Sequence, residues 1–217
     1  MNHESPNKTV AIIGYSGHGF VAADILKCAG YAVLAYCDNE EKEYNPYSLQ
    51  YLGTENDVEA MKCLMENHYF ISVGDNRIRE KIYQQLTQGL LPPVNAIHPS
   101  TIIASSVKLG NGVMVAAGAV INPLVKAGNG TIINTASSID HECVLEDFVH
   151  IGPGAIVCGN VTIGQRTFIG AGSVIRQGIT IGKDVMIGAG SVIVKDVPDN
   201  MVMVGNPQKE LIKNKNK

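Results

Sequence analysis

The sequence has no run approaching the roughly 18 consecutive apolar residues that a membrane-spanning helix needs, and its first residues, MNHESPNK, hold no apolar stretch. No membrane insertion is expected, and the expected location is cytoplasmic. Disulfide chemistry lacks its pattern as well. Cys28, Cys37, Cys63, Cys143 and Cys158 are odd in number and contain no CxxC pair and no zinc-like spacing, so neither a disulfide framework nor a metal site is expected. Net charge is only −3, which gives no reason to expect nucleic acid or an anionic membrane as partner. The basic tail KELIKNKNK is expected to fray.

Apolar residues, by contrast, make up 45% of the 217 positions, ample for a core. They are arranged in two ways. From Lys8 the chain alternates strand and helix: strand KTVAIIG, helix Phe20 to Cys28, strand AVLAYC, helix Asp57 to Asn67, strand YFISVG, helix IREKIYQQL and a last strand VNAIH. This alternation predicts a Rossmann-like α/β domain over 1–99 with a parallel sheet. His98, at its end, reads as a structural histidine; His3 and His68 carry no signal.

Beyond Pro99 the period becomes six. Residues 103 to 198 form 16 uninterrupted hexads, and the first position is Ile, Leu or Val in all but one, Ala127. Such a repeat predicts a parallel β-helix over 100–217, each short strand burying one aliphatic side chain and stacking on the next coil. The fifth position, as in Val113, Ala119, Val161, Ser173 and Val185, is small or β-branched and reads as a second inward position. Glycine fills the second position seven times, where the chain is expected to turn. The period alone leaves handedness open.

The hexads, the terminal VGNP, the glycine-rich α/β domain and the segment DHECVLEDFVH together resemble the bacterial sugar O- and N-acyltransferases of the left-handed β-helix class, over about residues 8 to 207. The likeness is greatest to the N-acetyltransferases that act on UDP-linked 4-amino-4,6-dideoxy sugars, as in bacillosamine biosynthesis. It implies a left-handed parallel β-helix of three hexads per turn, acetyl-CoA as co-substrate, and a homotrimer with active sites between neighbouring β-helices. Acetyl transfer to an amine needs a base, and histidine titrates nearest neutrality. His141 is the candidate base. Hexad register places it at or near a corner and turns Cys143 into the core, so direct transfer is expected in place of a thioester on that cysteine. Glu142 matches the family position that raises the basicity of the histidine; Asp140 is the alternative partner, because neighbouring strand residues face opposite ways. Glu146 and Asp147 read as solvated turn residues.

The resemblance also implies roles for Asn134 (the acetyl carbonyl or oxyanion), His150 (acetyl-CoA near the thioester), and Gly159, Ala171, Gly188 and Ala189 (the pantetheine groove). Each also has an ordinary turn or coil reading. In the first domain, GYSGHG departs from the GxGxxG fingerprint but shares its physics: glycines and a helix N-terminus allow backbone N–H groups to approach a phosphate. The family assigns this region to the nucleotide sugar, with Ser16, Gly17 and His18 near the diphosphate or sugar, Asp38 and Asn39 near the nucleoside, and Gly74 closing the pocket. The relatives carry two acids at 38–39 and GNN at 74–76, so base and sugar stay open. The expected activity is N-acetylation of a nucleotide-linked amino sugar. A sialic-acid-type O-acetyltransferase and a GDP-perosamine-type N-acetyltransferase are the alternatives. An oxidoreductase leaves the β-helix unexplained, a β-helix hydratase needs three histidines on zinc, and a noncatalytic β-solenoid scaffold would be indifferent to His141.

Overall fold

The computed structural model describes residues 8–211, which fall into two compact units, Met1–Pro99 and Ser100–Lys217. The first contains β1 (Lys8–Ile13), α1 (Gly17–Cys28), β2 (Tyr31–Cys37), β3 (Gln50–Tyr51), α2 (Val58–Glu66), β4 (His68–Ile71), α3 (Asn76–Leu86) and β5 (Ala96–Ile97). Four strands form one parallel sheet in the order β3-β2-β1-β4. β1 is central, and Val10 to Ile13 are all buried, as a strand covered on both faces requires. On one face Ala60 and Leu64 of α2 and Ile82 and Leu86 of α3 close over Ala11, Ile13, Tyr69 and Ile71. The chain runs from β1 outward to β3 and returns across β1 to β4, so the strand order reverses between β1 and β4. Ligand sites of open parallel sheets lie at such a reversal, beyond the carboxyl ends of the strands.

Two expectations for this unit need correction. β3 was not foreseen, because a two-residue edge strand has too little sequence to show a period. The last strand, VNAIH, is not part of the four-stranded sheet. Val94 donates its N–H to the Tyr69 carbonyl at 3.0 Å, but pairing with β4 goes no further, and only Ala96–Ile97 is extended as β5. Pro92 and Pro93, which have no N–H to give a ladder, precede this departure.

The second unit contains 16 two-residue strands, from Ile102–Ile103 to Val192–Ile193, hydrogen-bonded into parallel ladders in which paired residues of successive coils are 18 positions apart. Ile139, for example, pairs with Ile121 and Val157. One coil is therefore three hexads, and the coil is a triangular prism. From Val115 to Ile193 every first-position side chain is at most 5% exposed, and the fifth positions from Val113 to Val197 are buried with them. Each large aliphatic among them contributes about 1.5–3 kcal/mol of transfer free energy. Buried hydroxyls at the fifth position bond to coil carbonyls, as Ser137 does to Asn134 (2.7 Å) and Thr167 to Gly182 (2.7 Å).

The reason for the second-position glycines is also corrected. The left-handed corner residue is the fourth of the hexad, filled by Gly154 and Gly172 but equally by Ala136, Glu142, Phe148, Asn160, Arg166 and Asp184, all at φ of +53° to +64°. The second-position glycines have ordinary φ. They are required because the next coil lies against them: a Cβ on Gly170 would lie 2.5 Å from the Ala189 nitrogen, and one on Gly164 2.5 Å from that of Lys183. At the C-terminal end Val202–Val204 stacks on Met186–Ile187, and Lys209–Glu210 returns antiparallel to it. The start of the tail is thus paired, whereas residues 212–217 lie outside the described residues, as does His3.

Candidate active site

His141 occupies a corner, 55% exposed at its side chain. The coil explains how. Asp140 ends one face and Glu142 takes the left-handed corner conformation (φ +62°), which swings the Glu142 side chain out of the alternating strand pattern and onto the neighbouring imidazole. Its Oε2 lies 3.0 Å from His141 Nδ1. Asp140 is differently employed: its Oδ1 accepts the His141 backbone N–H at 2.8 Å and the Asn122 amide at 2.9 Å, and these bonds, the backbone one first, hold its carboxyl below the usual value. Its other oxygen is 3.9 Å from His141 Nε2. Glu142 is therefore the ring's partner at Nδ1. Gly159 is stacked on the same corner one coil later, and a Cβ there would lie 2.5 Å from His141 Cε1 and 2.6 Å from Nε2. The ring occupies the space that glycine leaves. Cys143 is fully buried, its thiol bonded to the Cys158 carbonyl at 3.1 Å, and burial pushes its pKa up; this is a poor nucleophile. Glu142 also borders a depression of about 380 Å3 that includes Lys108 and Lys126.

Asn134 belongs to the preceding corner of the prism, and His150 to the strand His150–Ile151 on the face that leads into it. The Asn134 amide nitrogen is 3.4 Å from His150 Nε2, while its oxygen accepts the Thr135 N–H at 2.8 Å. His150 stands edge-on to Phe168, ring centroids 4.9 Å apart, and is 8% exposed. Ala171 and Ala189 are exposed 18 residues apart on this corner; Gly188 packs against Val204, 2.8 Å from where its Cβ would be. Within one chain the residues expected to act together therefore form two groups. His141, Glu142 and Gly159 meet at one corner; Asn134, His150, Ala171, Gly188 and Ala189 gather at the other, across the face carrying Ser138–Ile139.

In the α/β unit, Gly14, Ser16, Asp38, Asn39 and Gly74 line a cavity of about 450 Å3 beyond the carboxyl ends of β1, β2 and β4. Gly14 is at φ +93° with Val73 Cγ2 2.8 Å from its would-be Cβ, and Ser72 Oγ donates to the Gly14 carbonyl at 2.6 Å. The two loops at the strand reversal are thus fastened together. Gly17 opens α1. His18 reaches Gly74, its Cγ 3.9 Å from the place of a Cβ; burial, with the Arg79 charge second, pushes its pKa down to about 4. Asp38 is a clasp in this structure: Oδ2 accepts the Tyr15 N–H and Oδ1 the Asn39 N–H, both at 2.8 Å, and Lys42 lies 3.1 Å from Oδ1. Lys42, Lys81, Ser72 and Glu55 also line the cavity; sequence reasoning missed them because a single lysine, serine or glutamate on a loop or an exposed helix face has no distinguishing pattern. His98 stands near Asp24 and Cys28, with their ligand-type atoms within 4.8 Å of one another.

The PglD N-terminal domain family matches residues 9–86, the bacterial transferase hexapeptide family (six repeats) residues 142–177 and 160–195, and the hexapeptide repeat of succinyl-transferase residues 96–123. The chain is 31% identical over 112 residues to UDP-N-acetylbacillosamine N-acetyltransferase of Bacillus subtilis (strain 168), a match covering 51% of this chain and 52% of that protein. The matched region thus spans about half the length of that curated relative. Among solved structures, the acetyltransferase domain of PglB from Neisseria gonorrhoeae FA1090, in complex with acetyl coenzyme A, is 36% identical with a TM-score of 0.88, covering 94% of this chain and 100% of that one. PerB from Caulobacter crescentus, in complex with CoA and GDP-perosamine, is 37% identical with a TM-score of 0.87, covering 94% and 98%. An α/β unit followed by a left-handed parallel β-helix, matched nearly end to end by these structures, places the chain in the hexapeptide-repeat transferases that carry a PglD-type N-terminal domain.

Proposed function

We propose that the protein is an acetyl-CoA-dependent N-acetyltransferase of a nucleotide-linked 4-amino-4,6-dideoxy sugar, acting in the cytoplasm as a homotrimer. The observation that carries this reading is the His141 corner. An exposed imidazole lies 3.0 Å through Nδ1 from a carboxylate, and its Nε2 is left for a substrate. With the proton on Nδ1 and donated to Glu142, Nε2 accepts a proton from the sugar amine as the nitrogen attacks the thioester carbonyl. The imidazolium so formed is stabilised by Glu142 and returns the proton to the departing thiolate. Buried Cys143 supports direct transfer.

The trimer is supported by the separation of the two corners and by the face between them. Its outward column is Ile102, Val120, Ser138, Ile156, Val174 and Val192; Ile102 is 67% and Ile156 46% exposed. Packing this aliphatic face on a second copy buries it and allows the Asn134 and His150 corner of one chain to face the His141 corner of its neighbour. There Asn134 would bond the developing oxyanion, a contribution commonly of about 3 kcal/mol, and the small residues Ala171, Gly188 and Ala189 would admit the pantetheine arm. The α/β cavity supplies the nucleotide-sugar site. A panel of UDP- and GDP-linked amino sugars with acetyl-CoA, reading released thiol, tests the reading. Release with an amino sugar and none with its hydroxyl analogue is expected, whereas acetylation of the hydroxyl analogue alone would overturn N-transfer.

A further inference from the structure

Arg79 is 1% exposed, the largest fully buried side chain among the described residues. Taking a guanidinium out of water costs several kcal/mol, and packing alone would be served as well by an apolar residue. Its place in the first turn of α3 adds to the cost, since a helix N-terminus disfavours a cation. Burial pushes its pKa down, but from so high a value that the charge persists at neutrality. Its hydrogen bonds show where that cost is used. Nη1 donates to the carbonyls of Val73 (2.9 Å) and Gly74 (3.0 Å), and Nη2 to Asn76 Oδ1 (2.7 Å). These acceptors lie in the loop whose Val73 and Gly74 wall the α/β cavity. Asp75, between them, caps α3 through the N–H groups of Arg77 and Ile78, and Ser72 ties the same loop to Gly14. The cavity wall is therefore shaped from beneath by a buried cation; Lys42 and Lys81 line the cavity itself together with the carboxylates Asp38, already bonded to the Tyr15 and Asn39 N–H groups and to Lys42, and Glu55.

We infer that Arg79 is a positioning residue for a diphosphate: it fixes the Val73–Asn76 wall and adds a positive charge that water does not screen, so that the cavity prefers a nucleoside diphosphate to the nucleoside alone. This rests on the reading of the α/β unit as the nucleotide-sugar site. It differs from a merely structural role in predicting a change of ligand preference and not only of stability.

The test is calorimetric binding of UDP, GDP, uridine and guanosine to the full chain, with CoA as the control. The wild type is expected to bind one diphosphate at least about tenfold more tightly than its nucleoside. Arg79→Met is expected to bring that ratio near one while CoA affinity stays unchanged, and Arg79→Lys, which keeps the charge, to recover part of it. Asn76→Ala, which frees one end of the guanidinium, is expected to lower the ratio severalfold and carries the test should Arg79→Met not fold. An unchanged ratio in the folded variants, a wild type without preference, or equal loss of CoA binding overturns the inference. Failure of every amino sugar to release thiol, with the diphosphate preference intact, would instead remove the acetyl-transfer reading and leave this inference standing.

Discussion

The two units carry candidate sites by opposite means. In the β-helix the backbone repeats every 18 residues, so the scaffold at the His141 corner is the same scaffold found at corners with no chemistry; its corner column reads Pro123, His141, Gly159, Gln177. The side chain there is an addition to a structure that does not need it. In the α/β unit nothing repeats, and the residues that shape the cavity, Gly14, Ser72 and Arg79, also hold the crossing loops together. Function and stability should therefore separate cleanly in the β-helix and be entangled in the α/β unit.

His141→Ala gives the largest separation. Turnover should fall at least about 100-fold, the usual cost of losing a general base, while the unfolding free energy stays within about 0.5 kcal/mol, as for an exposed position. Side-by-side thiol release and thermal melts measure both. A marked loss of stability would erase the contrast between the units.

Gly170→Ala reverses the pattern inside the same β-helix. Its new methyl would meet the backbone of Gly188 and Ala189 at 2.5–2.6 Å, and backbone cannot yield as a flexible side chain does. A cost of about 3 kcal/mol is expected by chemical denaturation. A neutral result would mean that neighbouring coils can part without penalty.

In the α/β unit, pH should expose the entanglement through His18. Its pKa in the folded protein, about 4, lies below the ordinary value of about 6.5 that it has in the unfolded chain. The unfolded chain therefore takes up the proton first. The contribution of the neutral ring is intact above about pH 6.5 and is lost as pH falls toward 4, a decrease of about 3 kcal/mol. Denaturation across that range should show the slope in the wild type and lose most of it in His18→Gln.

How much of this could be read from the sequence follows the same division. The hexads announce the β-helix because its core depends on two positions in six, and inward Ile139 and Cys143 with outward His141 follow from counting. What the count could not give was the partner of that ring: alternation sets Glu142 apart from His141, and only the left-handed corner brings its carboxylate round. The glycine periodicity was visible but its cause was not, because the atoms that forbid a side chain at Gly170 are 18 residues away. In the α/β unit the three helices and the strands β1, β2 and β4 were legible from apolar patterns, whereas the two-residue β3 and the departure of VNAIH from the sheet were not. Arg79 was not, since one arginine on an amphipathic helix looks like a solvated residue until its carbonyl acceptors are seen.

Gly159→Ala is the smallest and most discriminating change. Its Cβ would fall 2.5 Å from the His141 ring, the mobile end of an exposed side chain, so the ring can swing aside and the coil should lose little stability. Turning away from Glu142 Oε2 removes the orientation that leaves Nε2 for the amine, and a loss of about tenfold in kcat is expected, equivalent to about 1.4 kcal/mol. The same glycine was also assigned to the groove for the pantetheine arm, and the two roles part in steady-state kinetics. Crowding the groove raises KM for acetyl-CoA at constant kcat, whereas displacing the base lowers kcat at constant KM. A pure KM effect would assign Gly159 to the pantetheine groove and leave the ring held by Glu142 alone.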